Sequence, residues 1–159
     1  MTTAKQKENG TERVLLVDDN PTNLQVLYQT LDGRGYRLLV ANNGEQALSI
    51  AKKTMPVLIL LDIMMPGIDG FDTCRKLKED PDTAGSAVIF LSALDDVGNK
   101  VRGFGTGAVD YISKPFDPDE VIARVETHLK IRRLENDLSL KNEELKQLNE
   151  HLELKVRER

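Results

Sequence analysis

Five short apolar runs alternate with amphipathic stretches between residues 13 and 129, and this alternation constrains the fold more than any other feature. The run at residues 57–61 is apolar throughout, as is typical of a strand buried on both faces. The other four strand-like runs cover residues 14–17, 36–41, 87–91 and 109–112. Strands that alternate with helices at this spacing form parallel βαβ units with right-handed crossovers. The sequence therefore predicts an α/β fold: a doubly wound, flavodoxin-like sheet of five parallel strands, order 2-1-3-4-5, with a long C-terminal helix.

Local signals place helices between these strands. Asn20 and Pro21 predict the start of the first helix, with Asn as the cap and Pro in the first turn. Asn43 with Gly44 predicts a second helix, and residues 69–79 predict a third. A fourth helix at residues 95–104 is expected to be weak, because each interior glycine costs about 0.5–1 kcal/mol relative to alanine. The glycines in and just after it are Gly98, Gly103, Gly105 and Gly107.

The chain after Asp117 is expected to be one long helix with a coiled-coil pattern. Lys141 and Lys155 occupy two of its eight a and d positions, so the pattern predicts a weak coil. A helix over residues 118–159 would be about 60 Å long, too long to pack on one small domain. We therefore expect a parallel homodimer through residues 130–159, either as a signal carrier or as a plain tether. The six apolar seam residues are Ile131, Leu134, Leu138, Leu145, Leu148 and Leu152.

Composition argues against several classes of function. The 159 residues carry a formal net charge of −4, and direct nucleic-acid binding requires a basic face. We expect no membrane segment, because the longest apolar run, at residues 57–61, is ended by Asp62. The single cysteine, Cys74, cannot form an internal disulfide, which predicts a cytoplasmic location. Because Cys74 lies on a predicted helix, its expected role is core packing.

Polar side chains stand where the predicted strands end. Asp18 and Asp19 follow the first strand, Asp62 the third, Ser92 the fourth and Lys114 the fifth. The carboxyl ends of parallel strands meet at one edge of the sheet, so these five side chains should converge there. Three neighbouring carboxylates repel one another and need a cation, and oxygen ligands without His or Cys favour Mg²⁺. An ionised carboxylate beside a metal and further donors is suited to accept a phosphoryl group.

Four segments that carry these residues resemble the receiver domain of two-component response regulators. They are residues 17–20 (VDDN), 61–71 (LDIMMPGIDGF), 90–93 (FLSA) and 110–116 (DYISKPF), and the resemblance covers residues 13–129. It implies that Asp62 is the phosphoacceptor, Ser92 the switch hydroxyl and Lys114 the phosphate-binding lysine. It also implies a cis peptide bond between Lys114 and Pro115, and that Tyr111 occupies the position of the rotating aromatic.

The same resemblance implies the metal ligands and the partners. Asp19 and Asp62 would bind Mg²⁺ directly, Asp18 would help through water, and Met64 would offer its backbone carbonyl. The phosphodonor would be a histidine kinase or a phosphotransfer protein, and the domain would have no turnover substrate. Phosphoryl loss should be slow, because Met64 and Leu94, which flank the phosphoryl position in this family, are apolar.

Several alternatives stay open at this point. Ser92 could cap a turn, Lys114 could be a solvated loop lysine, and Tyr111 could be ordinary strand core. A receiver-like dimerisation adaptor that is never phosphorylated is the alternative function. A phosphohydrolase of the haloacid dehalogenase kind is disfavoured, because Asn20 stands where that family has its acid–base aspartate.

The expected organisation has three parts. Residues 1–12 are polar and should be disordered, residues 13–129 should form the receiver, and residues 130–159 the coil. His128 and His151 are interpreted as solvated or interface residues. Since a coil of this kind usually leads to another domain, we expect the reading frame to continue past Arg159. Receivers followed by a coil resemble the front ends of proteins with nucleotide cyclase, diguanylate cyclase, phosphatase or kinase output domains.

Overall fold

The computed structural model describes residues 12–93, 102 and 105–158. Within them, one sheet of five strands has the order β2-β1-β3-β4-β5, and every neighbouring pair is parallel. The predicted α/β fold and strand order are confirmed. The strands are β1 (Arg13–Val17), β2 (Arg37–Ala41), β3 (Leu58–Asp62), β4 (Ala87–Ala93) and β5 (Asp110–Lys114).

Four helices are described: α1 (Pro21–Leu31), α2 (Gly44–Thr54), α3 (Gly70–Glu79) and α4 (Pro118–Glu158). The first three begin after a side-chain cap, because Asn20, Asn43 and Asp69 each accept a hydrogen bond from a backbone N–H of the first turn. Most of the segment at residues 1–12, most of the predicted helix at residues 95–104, and Leu94 lie outside the described residues.

The core consists of an apolar layer on each face of the sheet. Alternate strand residues supply the two layers, and all five residues of β3 are buried, as its unbroken apolar run predicted. Helices α2 and α3 cover one face, where Cys74 is buried in the core as expected. Helices α1 and α4 cover the other, with Leu27, Leu31 and Val125 among the buried residues.

Three strands extend further than their apolar runs. The parallel ladder pairs Asp62 with Leu91, Ser92 with Ser113, and Ala93 with Lys114. Backbone hydrogen bonds make the ladder, so pairing continues into polar residues that the side-chain pattern excludes. Asp62, Ser92 and Lys114 are therefore held within strands rather than in the loops that follow them.

Helix α4 changes character along its length. Val121, Val125 and Leu129 are fully buried against the domain, whereas the apolar residues of the predicted seam are exposed by 43–63%. The described residues contain no helix long and apolar enough to cross a membrane.

The interpretation of His128 as a solvated or interface residue is wrong. Its Nε2 lies 2.9 Å from Oδ2 of Asp110, and Nη1 of Arg124 donates to both oxygens of the same carboxylate, at 2.8 and 2.9 Å. Burial alone would raise the pKa of Asp110. The hydrogen bonds from His128, Arg124 and the Tyr111 N–H outweigh burial and lower that pKa below its usual value. These contacts join the start of β5 to α4. His151 is exposed.

Gly70 is required where α3 starts against the end of β3. Its N–H donates to the Ile63 carbonyl at 2.8 Å, and an added Cβ would lie 2.4 Å from the Asp62 carbonyl oxygen and 2.7 Å from Cα of Ile63. Both neighbours are backbone atoms, so neither can move aside as the end of a side chain would. The close approach sets the position of the chain around Asp62.

We therefore expect Gly70→Ala to lower the free energy of unfolding by about 1–3 kcal/mol, the usual cost of forcing extra atoms into a packed site. Urea unfolding followed by circular dichroism measures the change. Gly105→Ala is the matched control, because a Cβ there meets no heavy atom of the described residues within 4 Å, and it should change stability by less than about 0.5 kcal/mol. Equal unfolding midpoints for the two variants would contradict the close approach.

Candidate functional site

The structure brings the predicted charged residues together at the carboxyl edge of the sheet. Nζ of Lys114 lies 2.9 Å from Oδ1 of Asp62 and 3.4 Å from Oδ2 of Asp18. The side chain of Lys114 is 27% exposed, while those of Asp18 and Asp62 are 0% and 3% exposed. Lys114 is therefore not a solvated loop lysine, since its ammonium group bridges two buried carboxylates. The predicted cis peptide bond between Lys114 and Pro115 is present.

Asp18 is held by neutral donors as well as by Lys114. The backbone N–H of Asn20 donates to its Oδ1 at 2.9 Å, and Nδ2 of Asn23 donates to its Oδ2 at 3.2 Å. Asn23 was not among the residues predicted for the site. One signal could have suggested it: Asn23 lies in the first turn of the helix that starts directly after the aspartate pair, five residues from Asp18.

The carboxylates of Asp18, Asp19 and Asp62 form a cluster in which one oxygen from each lies within 4.8 Å of the others. Asp19 is exposed, whereas Asp18 and Asp62 are buried. Oδ2 of Asp62 is buried and has no hydrogen-bond partner among the described residues. A buried, unpartnered carboxylate oxygen costs free energy unless something binds it. Three carboxylates against one ammonium group leave an excess of negative charge, so this oxygen-only donor set fits Mg²⁺.

Ser92 and Tyr111 are both buried near this edge. Oγ of Ser92 has no hydrogen-bond partner within the described part of the chain, although the residue is only 2% exposed. A buried hydroxyl without a partner is rare in folded proteins. The Ser92 hydroxyl is therefore available to donate a hydrogen bond to a ligand. The Tyr111 ring is 6% exposed and lies 5.6 Å from the Phe90 ring, so it packs inward in this structure. Met64 is 74% exposed.

The pKa values reflect the balance of charge at the site. Burial raises the pKa of Asp62 to about 7, the hydrogen bond from Lys114 opposes this, and the charge of Asp18 adds to the rise. Burial by itself lowers the pKa of Lys114, but its contacts with Asp62 and Asp18 outweigh burial and raise that pKa above its usual value. One ammonium group therefore does not compensate the buried carboxylates.

Comparison with known proteins identifies the class. The family model described as "Response regulator receiver domain" matches residues 14–126, and the chain belongs to this family of two-component signalling proteins. The response regulator PleD of Caulobacter vibrioides is 40% identical over 126 residues, which are 79% of this chain and 28% of PleD. The DNA-binding response regulator MtrA of Mycolicibacterium smegmatis is 40% identical over 119 residues, 75% of this chain and 51% of MtrA.

Solved structures give the same class. The response regulator DrrB, described as a Thermotoga maritima OmpR/PhoB homolog, aligns with a TM-score of 0.68 and 31% identity over 76% of this chain and 53% of DrrB. The signal receiver domain of a histidine kinase from Syntrophus aciditrophicus aligns with a TM-score of 0.69 and 35% identity over 76% of this chain and 91% of that one. The chain spans between about a quarter and a half of the curated relatives it matches.

The raised pKa of Asp62 predicts how stability depends on pH without divalent ions. The folded protein holds this proton more tightly than the unfolded chain does, so the contribution of Asp62 to stability falls as the pH rises from about 4 to about 7. Asp62→Asn should be more stable than the wild type at pH 8, on the order of 2–4 kcal/mol, and the gain should vanish near pH 4. Urea unfolding with a chelator present measures it. A constant difference between the two proteins from pH 4 to pH 8 would contradict the assignment.

Proposed function

We propose that this receiver accepts a phosphoryl group on Asp62 from a histidine kinase or a phosphotransfer protein. We further propose that a dimeric coiled coil passes the phosphorylation state to an output domain. The proposal of phosphoryl acceptance rests on the hydrogen bonding of the two Asp62 carboxylate oxygens. Lys114 orients one oxygen at 2.9 Å, and the other oxygen is buried beside two further carboxylates with no hydrogen-bond partner among the residues that the structure describes. An oriented carboxylate with one uncommitted oxygen is prepared to act as a nucleophile.

The transfer step exchanges one bond to phosphorus for another. An oxygen of ionised Asp62 attacks the phosphorus of a phosphohistidine, the P–N bond breaks, and the imidazole leaves with the electron pair and takes up a proton from solvent. The product is an acyl phosphate on Asp62. No general base is needed, because the reacting form is the ionised carboxylate, which a bound cation would favour.

Each remaining residue of the site has a proposed role in that step. Asp19 and Asp62, with the Met64 backbone carbonyl, would bind Mg²⁺ directly, and Asp18 would bind it through water; the metal would offset negative charge on the phosphoryl oxygens. Lys114 would leave its Asp62 oxygen for a phosphoryl oxygen, keeping its charge at the site. The Ser92 hydroxyl, which has no hydrogen-bond partner in the described part of the chain, would donate to a phosphoryl oxygen, and Tyr111 would change its packing in response.

The coil is proposed from the position of the apolar seam on α4. At about 100° per residue, the seam residues Ile131, Leu134 and Leu138 lie roughly 150° around the helix from Val121, Val125 and Leu129, which face the domain. Two copies can therefore pair through residues 130–159 while each α4 stays packed on its own receiver domain at residues 13–129.

A parallel pairing places both receivers at one end of the coil. It sets Lys130 of one chain near Glu135 of the other, and it sets Lys141 opposite Lys141 and Lys155 opposite Lys155. Like charges in the seam weaken the coil. Small changes in receiver packing can therefore change the register or the separation of its two helices. The output domain would lie beyond the coil in the whole protein.

Phosphorylation should be confined to Asp62, because this residue alone combines a buried strand end with the flanking acidic pair. Treatment with acetyl phosphate and Mg²⁺, followed by mass spectrometry, should place the adduct on Asp62. Asp62→Asn should remove it, while Asp69→Asn, which changes the half-buried cap residue of α3, should keep it. An unmodified wild-type protein would favour the unphosphorylated dimerisation adaptor, and modification of Asp62→Asn to the wild-type extent would contradict the assigned residue.

Lys141→Leu should strengthen the dimer by about tenfold or more, because it replaces a like-charge contact in the seam with apolar packing. Adding Lys155→Leu should strengthen it further and reduce any effect of phosphorylation on dimer affinity. Sedimentation equilibrium measures both. Lys146→Leu is the matched control, because it makes the same change off the seam. Equal dimer affinities for Lys141→Leu and Lys146→Leu, or a tail that stays monomeric, would exclude this seam.

A further inference from the structure

Asn23 stands at the third position of α1, where a side chain usually helps to cap the helix. In that role it would reach back to the backbone N–H of the cap residue. Here the N–H of the cap residue, Asn20, donates to Oδ1 of Asp18 at 2.9 Å. The Asn20 side chain in turn accepts from the N–H groups of Thr22, at 2.8 Å, and Asn23, at 3.4 Å. The helix start is therefore satisfied without the Asn23 side chain.

The Asn23 side chain instead contacts the carboxylate of Asp18. Its Nδ2 lies 3.2 Å from Oδ2 of Asp18, the same oxygen that Nζ of Lys114 approaches to 3.4 Å. Because the carboxylate can only accept, the amide nitrogen must be the atom that faces it. Asn23 is a neutral donor, so it orients Asp18 without cancelling the negative charge that a cation needs.

Asn23 and Lys114 share one oxygen of Asp18, while Lys114 also holds Asp62 at 2.9 Å. Because Asn23 also donates to that oxygen, Asp18 attracts the ammonium group of Lys114 less strongly. Without Asn23, Lys114 would be the one donor to Oδ2 of Asp18 among the described residues, and the carboxylate would turn toward it. Lys114 would then move away from Asp62, and Asp18 would lose its orientation toward the cluster.

We propose that Asn23 is a positioning residue that sets the Mg²⁺ affinity of the site by fixing the Asp18 carboxylate from the first turn of α1. The inference rests on the proposed function in that the cation is the one which phosphoryl acceptance would use. Partners that orient metal-binding groups typically change metal affinity by 10–100-fold when they are removed. The contact also makes the start of α1 sensitive to whether the metal is bound.

The test measures Mg²⁺ binding to the whole chain by calorimetry, with no phosphodonor present. Asn23→Leu keeps the branching at Cγ and removes the donor, so the dissociation constant for Mg²⁺ should rise about tenfold. A residue with a purely structural role would instead shift the metal-free unfolding midpoint and leave the Mg²⁺ dissociation constant of the folded protein unchanged. Gln25→Leu, on the exposed side of the same helix, is the matched control and should bind Mg²⁺ as the wild type does.

Two further readouts keep the inference separate from folding and from phosphorylation. Asn23→Ala also removes the amide but adds no bulk, so it replaces the leucine variant if that variant does not fold. It should weaken Mg²⁺ binding by a similar factor. In the wild type, the side-chain amide resonance of Asn23 should shift during a Mg²⁺ titration with the same midpoint as calorimetry gives. Wild-type affinity in either variant overturns the role of Asn23, even if Asp62 is phosphorylated normally. Failure of acetyl phosphate to modify the wild type overturns the proposed function instead.

Discussion

The contact between Lys114 and the two buried carboxylates of Asp62 and Asp18 is the interaction on which the rest of the site depends. A single ammonium group shared between them, at 2.9 and 3.4 Å, cannot compensate both charges. Burial raises the pKa of Asp62 to about 7 in spite of that ammonium group. The fold therefore keeps an unfavourable excess of negative charge at the edge of its sheet, and binding of a cation can relieve it.

The surrounding structure holds this unfavourable arrangement in place. The β3–β4 and β4–β5 ladders extend through Asp62 and Lys114, so backbone hydrogen bonds fix the strand ends from which these side chains project. Gly70 lets α3 start directly against the backbone of Asp62. Asn20 starts α1 and also donates its N–H to Asp18. Each element that borders the site thus has both a folding role and a positioning role.

Most of the fold and the charged part of the site could be predicted from the sequence. The unbroken apolar run before Asp62 predicts a strand buried on both faces, and polar residues at successive strand ends must meet at one edge of a parallel sheet. Contacts that depend on three-dimensional packing could not be predicted. The Asp110–His128 pair depends on how α4 docks against β5. The Asn23 contact depends on the rotation of α1 about its own axis. The ends of the strands depend on backbone pairing, which side-chain patterns do not report.

The central claim is that the site carries uncompensated negative charge that a divalent cation offsets. Calorimetric titration of Mg²⁺ into the wild type, repeated in buffers of different ionisation enthalpy, tests it most directly because it counts the protons released. With Asp62 partly protonated near neutral pH, binding at pH 7 should release a fraction of a proton per Mg²⁺, and the release should fall toward zero by about pH 9. Absence of binding, or binding at pH 7 without proton release, would contradict this account of the site.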